Sequence, residues 1–413
     1  MLHIRGLRVR GDGSGCVTST PHVVSGNGHR SSAWRVAAAV ALGGLAVAGL
    51  ADAASTIGPG ETTTPATRTR TSWPRQLRVV AAGDIMPESP VQAAAADAAP
   101  DPEVRFDFAP LFRTDGIMGW ADLAICHIEI PLGRAGGPHG YAGRSPFGGN
   151  LISGPYEIAT GVAAASFDRC STASNHAFDL GVNGVVSTLD ALDAHGISHS
   201  GTARSENEGR PDVFDVADVR VAHLSYTRYS NTVLPADDWT LAYARTSQEI
   251  VDDVATVRAA GAEVVIVSIH LSWELQTAPT SWDRAFTTEL VERADIDLVI
   301  HHGPHVVQPL EWVHGVPVFW SLGNFISGTG VAGAGRYEDP RTIDGLLVSV
   351  TFSEQPDGSF TADAAAVAIC TDPVTRHVRH ASAAMGDLEL SAAERARAAD
   401  CLARTRQVVP DAR

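Results

Sequence analysis

The sequence predicts a layered α/β domain, and three features carry that expectation: apolar β-branched runs, helical-period segments between them, and polar donors where the runs end. Alternating strands and helices bury sheets under helices, and ligands of open α/β sheets collect outside the strands' carboxyl ends. The run at residues 78–84 ends in Asp84, and the run at 121–129 ends with His127 and Glu129. Residues 170–176 close on Asn175 and His176, and residues 264–270 on His270. The run at 297–300 passes directly into His301 and His302, with His305 beyond a Gly-Pro pair. Neutral imidazole is the commonest metal ligand, and histidine is costly to bury without a partner.

The helical segments follow from spacing. Residues 185–194 place Val186, Leu189 and Leu192 along one face; 251–260 and 285–294 look similar, each just ahead of a β-branched run. Residues 346–352 and 361–369 flank Pro356-Asp357-Gly358, a turn sequence that tolerates positive φ, so a hairpin is expected there. Ser391 and Glu394 have capping-box spacing and start a last helix. The folded unit is expected over 76–385, with 386–413 as a C-terminal helix and tail.

Composition narrows the function classes. With 413 residues and 44% hydrophobic content, the chain can bury a large core. Its formal net charge of −16 opposes nucleic acid as a partner. Every basic side chain is arginine or histidine, which excludes a P-loop lysine, a Schiff-base lysine and a serine–lysine dyad. Cys126 and Cys170 lie in apolar runs and read as small buried hydrophobes; Cys370 and Cys401 could pair outside the cytoplasm.

The N-terminus has its own character. An arginine-bearing stretch precedes an apolar segment at 36–50 and the small-x-small sequence Ala51-Asp52-Ala53. That apolar segment suits a signal peptide better than a full span, with an uncleaved membrane anchor as the alternative, over residues 1–53. Residues 54–75, rich in Thr, Pro, Gly and Arg, are expected to be a disordered linker. Export to the cell surface or beyond follows from either reading.

Taken singly, each strand-end donor has an ordinary explanation as a turn, cap or core residue. Jointly they predict one shared polar site. The order Gly83-Asp84-Ile85-Met86, residues 122–132, Ser174-Asn175-His176 through Gly181, residues 268–270, His301-His302-Gly303-Pro304-His305 through Glu311, and residues 321–325 resembles the CapA family. That family comprises capsule, or poly-γ-glutamate, biosynthesis proteins on a calcineurin-like metallophosphoesterase fold. The likeness runs from about Arg78 to Ser327. It implies a four-layer α/β/β/α sandwich with a metal site at its rim.

By that resemblance Asp84, Asn175, His270, His302 and His305 would be metal ligands, with His127 and Glu129 at the position of a further pair. His176 would act as general acid or as a donor to a developing oxyanion. Carboxylate, amide oxygen and imidazole suit manganese, iron or zinc. This chain departs from the pattern at Met86, where histidine is usual, and at His127, where asparagine is usual. It also has His301 in place of glycine and Gly303 in place of histidine. One ion, or a rearranged pair using Glu129, both remain open. Asp179 is expected either to cap the next helix or to hold His176, and Gln308, Glu311 and Asn324 to support the site from behind. Glu274 reads equally as a substrate contact or a solvated charge, while His195, His199, His223 and His314 read as ordinary residues.

Two functions follow. One is an exported metal-dependent hydrolase acting on a phosphoester or an amide linkage of an envelope polymer. The other is a non-enzymatic, surface-anchored protein that assembles or attaches such a polymer, with an eroded metal site. Five Arg against two Asp in residues 1–53 leave about −19 on the rest, so a polyanion would be opposed except at the metal or an arginine patch.

Overall fold

The computed structural model describes residues 74–413 except 115 and 272. The expected leader, and all but the last two residues of the expected linker, lie outside the described residues. The first half contains β1 (Gln76–Met86), α1 (Ser89–Asp97), β2 (Leu123–Ile128), β3 (Gly140–Arg144), β4 (Asn150–Ser153), α2 (Ile158–Ala164), β5 (Arg169–Ser171), α3 (Gly181–Asp193), β6 (Ser198–Ser200), β7 (Phe214–Val216) and β8 (Val219–Thr227). There follow α4 (Ser247–Ala259), β9 (Val264–His270), α5 (Ser281–Arg293), β10 (Leu298–His302), β11 (Leu310–Val313), β12 (Val316–Phe319), β13 (Asn324–Ser327), β14 (Asp344–Glu354), β15 (Phe360–Thr371), β16 (Val378–His380), α6 (Ala381–Gly386) and α7 (Ala392–Arg406).

Two sheets stack face to face. The first runs β16-β15-β14-β1-β2-β5-β6 with β13 also pairing β1; the second runs β11-β12-β10-β9-β8-β7. Side chains alternate across each strand, so β1 sends Leu77, Val79 and Ala81 one way and Val80 and Ala82 the other. The first set meets Val221, Ile266 and Ile300 of the second sheet, forming the central layer boundary. The second set packs beneath helical Val91, Ile158, Val162 and Leu192. On the far side, Leu224, Val265 and Val267 pack against Ile250 and Val254 of α4 and Leu290 of α5. The layers are therefore α/β/β/α, and near-continuous burial along β9 and β10 is what strands covered on both faces require.

The helices start earlier than spacing alone suggested. Thr246 and Glu249 form a capping box ahead of α4, as do Thr280 and Asp283 ahead of α5. The Ser391–Glu394 box opens α7. Cys401 on α7 is disulfide-linked to Cys370 on β15. One reading is corrected here: Cys126 and Cys170 are fully buried, but as a disulfide, not as separate hydrophobes. They face each other across the parallel β2–β5 pair. At the N-terminal edge, Arg75 bridges Glu263 (2.8 Å) and Glu354 (2.9 Å), so the chain is anchored just before β1. Among the described residues, no helix is long and apolar enough to cross a membrane.

Candidate functional site

The parallel strands β1, β2, β5, β9 and β10 deliver their carboxyl ends to one edge of the sandwich. Strand β1 shifts register around Asp84 against both β2 and β13, and such irregularities re-aim side chains. Gly83 makes this possible: a Cβ there would stand 2.0 Å from the Gly323 carbonyl oxygen. Adjacent residues on β10 point to opposite faces. His302 therefore enters the site, while His301 turns away, bonded to Thr287 (3.0 Å) and stacked on Trp320.

The donors converge. Asp84 Oδ1 lies 3.2 Å from His302 Nδ1, and its Oδ2 accepts from the Gly303 amide at 3.1 Å. His305 Nδ1 is 3.3 Å from Asp84 Oδ2, and its Nε2 is 3.5 Å from Glu129 Oε1. His127 Nε2 is 3.1 Å from His270 Nδ1, and the His127 and His302 rings stack at 4.0 Å. Three sets of ligand atoms lie within 4.8 Å of one another: Asp84/His127/His302, His127/Glu129/His270 and Asp84/Glu129/His305. Asn175 is buried in the same cleft lining, and its Oδ1 has no hydrogen-bond partner.

Both Glu129 oxygens, His270 Nε2 and His302 Nε2 are likewise buried without a hydrogen-bond partner. Such groups normally find one, since an orphaned polar atom costs about 1–3 kcal/mol. Here the orphans are carboxylate oxygen, amide oxygen and imidazole nitrogen, the donors a divalent ion takes. The residues present fit that group.

Electrostatics point the same way. Burial alone would raise the Asp84 carboxyl, but hydrogen bonds from His302 and His305 outweigh it and hold it well below the carboxylate range. Glu129 goes the other way: burial, reinforced by Asp84, pushes it well above its ordinary value despite the pull of His305. Burial lowers His127 strongly and His270 to about 3, so both rings are neutral. Burial also opposes charge on His305, yet Glu129 and Asp84 outweigh it and raise it to about 10. The upward shifts of Glu129 and His305 express one demand: two buried carboxylates call for positive charge, and protons supply it when nothing else does.

The supporting contacts are specific. His305 sits at φ 58°, a conformation that costs a non-glycine residue about 1–3 kcal/mol. Asn324 Oδ1 at 3.1 Å helps hold it there. Gly303, at φ 104°, has no room for a side chain: a Cβ would stand 2.3 Å from the Leu271 carbonyl oxygen and 2.9 Å from His270 Nε2. That explains glycine at this position. Gln308 donates to the Gln276 carbonyl, and Glu311 pairs with Arg284 and accepts from Trp320. His127 Nδ1 meets Ser171 Oγ (3.0 Å), which meets Ser225 Oγ (2.7 Å).

His176 stands at the mouth of the site. Its Nδ1 is 2.6 Å from Asp179 Oδ2, and Asp179 does not cap α3, whose first residue follows Leu180. Asp179 Oδ2 also accepts from the Ile152 amide (2.8 Å). The Asn231 amide nitrogen lies 3.1 Å from Nδ1 and 3.3 Å from Nε2 of His176. With Nδ1 protonated toward Asp179, only Nε2 can accept from it. His176 and Asn231 border a cleft of about 740 Å³ that also takes in Met86, Glu88, Asn150, Glu274 and Tyr337. Asn231, Asn150, Glu88 and Tyr337 were not foreseen. Asn231 lies four residues beyond the polar end of β8, Ser225-Tyr226-Thr227, which could have signalled it; the others carry no sequence signal.

Residues 78–329 match the family described as bacterial capsule synthesis protein PGA_cap. The chain belongs to this family. Among its relatives, the PGA biosynthesis protein CapA of Bacillus subtilis is 27% identical over 47% of this chain and 50% of its own length. The capsule biosynthesis protein CapA of Bacillus anthracis is 24% identical over 42% and 44%, respectively. A probable polyglutamine synthesis accessory protein of Mycobacterium tuberculosis is 28% identical over 43% and 49%. The chain thus spans about half the length of the curated relatives it matches. A solved calcineurin-like phosphoesterase, YfkN of Bacillus subtilis, aligns with 81% of this chain and 97% of its own at 13% identity and a TM-score of 0.40. A 5′-nucleotidase precursor of Thermus thermophilus aligns with 80% and 58% at 13% identity and the same score. The four-layer architecture of this capsule-family chain stands on its own packing.

Proposed function

We propose that this capsule-family protein is exported and hydrolyses a linkage in an envelope polymer, of capsule or poly-γ-glutamate type, at a divalent-metal site. The observation that carries the reading is the set of buried, unpartnered donor atoms on Glu129, His270, His302 and Asn175 around Asp84 and His305. Asp84, His302 and His305, with Glu129, His127, His270 and Asn175, would hold one ion or two; manganese, iron or zinc suits them. A divalent ion among such donors activates water and polarises a phosphoryl or carbonyl oxygen.

The chain's own groups supply the rest. Asp179 fixes the His176 tautomer, so Nδ1 carries a proton and Nε2, the acceptor facing Asn231, is the atom that would exchange a proton with the reacting group. Ser171 orients His127 in the same sense, through Nδ1. The cleft, at about 740 Å³, has room for a short stretch of polymer rather than a single small ion. The biological role comes from the relatives and not from the site chemistry.

A second reading has one observation in its favour. Met86 lines the cleft, and a thioether is a poor ligand for a hard divalent ion. On that reading the protein assembles or attaches polymer without cleaving it. Metal analysis of the purified full chain, with turnover of an activated phosphodiester, separates the two. The hydrolase reading expects stoichiometric metal that is lost in Asp84→Ala and His270→Ala, together with turnover. Fully metallated protein without turnover of phosphoester or amide polymer favours the second reading, and metal-free protein removes the first.

A further inference from the structure

Between β2 and α2 the chain leaves the sandwich and returns. Leu132 and Gly154 form an isolated bridge, and Gly133 N donates to the Gly154 carbonyl at 2.8 Å. The excursion is built around the antiparallel β3–β4 ribbon. Residues 130–156 contain no Asp or Glu, although the chain has 47 of them. They do contain Arg134, His139 and Arg144. Arg105 joins them from outside: it donates to the Gly137 carbonyl (2.9 Å) and lies 2.7 Å from His139 Nε2.

Arg105, Arg134 and Arg144 are all exposed. Among the described residues none of the three makes an ion pair; Arg134 and Arg144 reach only Asn183 (3.5 Å) and Asn150 (3.4 Å). Several other arginines are matched to carboxylate, as at Arg75, Arg204 and Arg404. The ribbon also turns Tyr141 and Phe147 to solvent, 66% and 69% exposed. It is continuous with the cleft, since Gly148, Gly149, Asn150 and Ile152 line both. The Ser145 hydroxyl ties it to Asn231, the neighbour of His176, by donating to the Asn231 carbonyl (2.5 Å).

We propose that this ribbon is the docking surface for a linear, carboxylate-bearing polymer that it guides into the cleft. The inference rests on the envelope-polymer reading above. On a chain of net −16, a strip with no acidic residue of its own and with unpaired arginines opposes a polyanion less than an acidic surface does. Guanidinium groups bind carboxylates through paired N–H donors. The exposed aromatic rings cover the hydrocarbon and amide portions of such a chain, which a bare phosphate chain lacks.

Anisotropy of labelled poly-γ-glutamate with the full chain tests it. The expected result is binding that weakens between low and physiological salt. It should weaken about tenfold in Arg105→Gln/Arg134→Gln/Arg144→Gln, as the loss of three exposed charge pairs implies. Tyr141→Ala/Phe147→Ala should also bind less, with melting temperature and metal content unchanged. Equal binding by wild type and the arginine variant overturns the proposal, as does equal binding of dextran or tighter binding of polyphosphate. Polymer docking that survives in Asp84→Ala, with metal lost, supports the ribbon independently of the hydrolytic reading.

Discussion

Metal uptake by this pocket should release protons, and the number follows from the buried groups. His305 is raised to about 10, so at pH 7.5 it holds its proton almost completely. Glu129 is pushed upward too. Asp84 is held ionised, and His127 and His270 are neutral, so none of these has a proton to give up in exchange. A ligand must present a lone pair, so loading at pH 7.5 frees about one proton from His305, and the upward push on Glu129 acts in the same direction. Titration calorimetry in buffers of different ionisation enthalpy counts them, and His305→Gln should lower the count by about one. Tight binding with no proton release would refute the charge balance described for the pocket.

The same groups fix the sign of the metal-free protein's pH dependence. The folded value of His305 lies above its ordinary 6.5, so its stabilisation is complete below about 6.5 and disappears as pH rises toward 10. Glu129 is also raised, above an ordinary 4.5, and also favours the fold less as pH rises. The rise of His305 from 6.5 to about 10 alone is worth on the order of 5 kcal/mol, and Glu129 adds in the same direction. Melting temperature against pH for the chelated protein should therefore fall from pH 6 to 10.

The remaining predictions are local. Gly303→Ala forces a Cβ to 2.3 Å from the Leu271 carbonyl at a positive φ, and should cost at least about 1–3 kcal/mol in denaturant melts while weakening metal retention; an unchanged midpoint would show that the turn relaxes freely. Asp179→Asn should lower turnover of an activated phosphodiester by about 10²–10⁴-fold with metal content intact, and an unchanged rate removes His176 from proton transfer. Cys401→Ser opens a loop whose cysteines are 31 apart, worth on the order of 3–4 kcal/mol by chain entropy; equal stability of the variant under oxidising conditions would contradict that role.

Much of this site was legible because its donors end apolar strands. The runs closing on Asp84, His127, Glu129, His270 and His302 are β1, β2, β9 and β10, and parallel strands deliver their ends to one edge. Periodicity also explains why His302 and His301 part company, although which of the two faces inward depends on where β10 sits in the sandwich. The disulfide between Cys126 and Cys170 was not legible, since it depends on the pairing register of β2 and β5, and each cysteine alone looks like a small hydrophobe. Strand β8 escaped notice because His223 and Ser225 break its apolar run; both are buried, with His223 bonded to Ser268 and Ser225 to Ser171. The cleft wall at residues 331–334 and the ribbon were invisible for a different reason: Gly-rich segments have no period, and only tertiary position makes them part of a site.

The most direct measurement is anomalous diffraction from crystals of the full chain grown with manganese or zinc. The account predicts a peak within about 2.0–2.2 Å of an Asp84 carboxylate oxygen, with His302, His305 or Glu129 completing the shell. Saturating metal that leaves this pocket without a peak, or that settles elsewhere on the molecule, contradicts it.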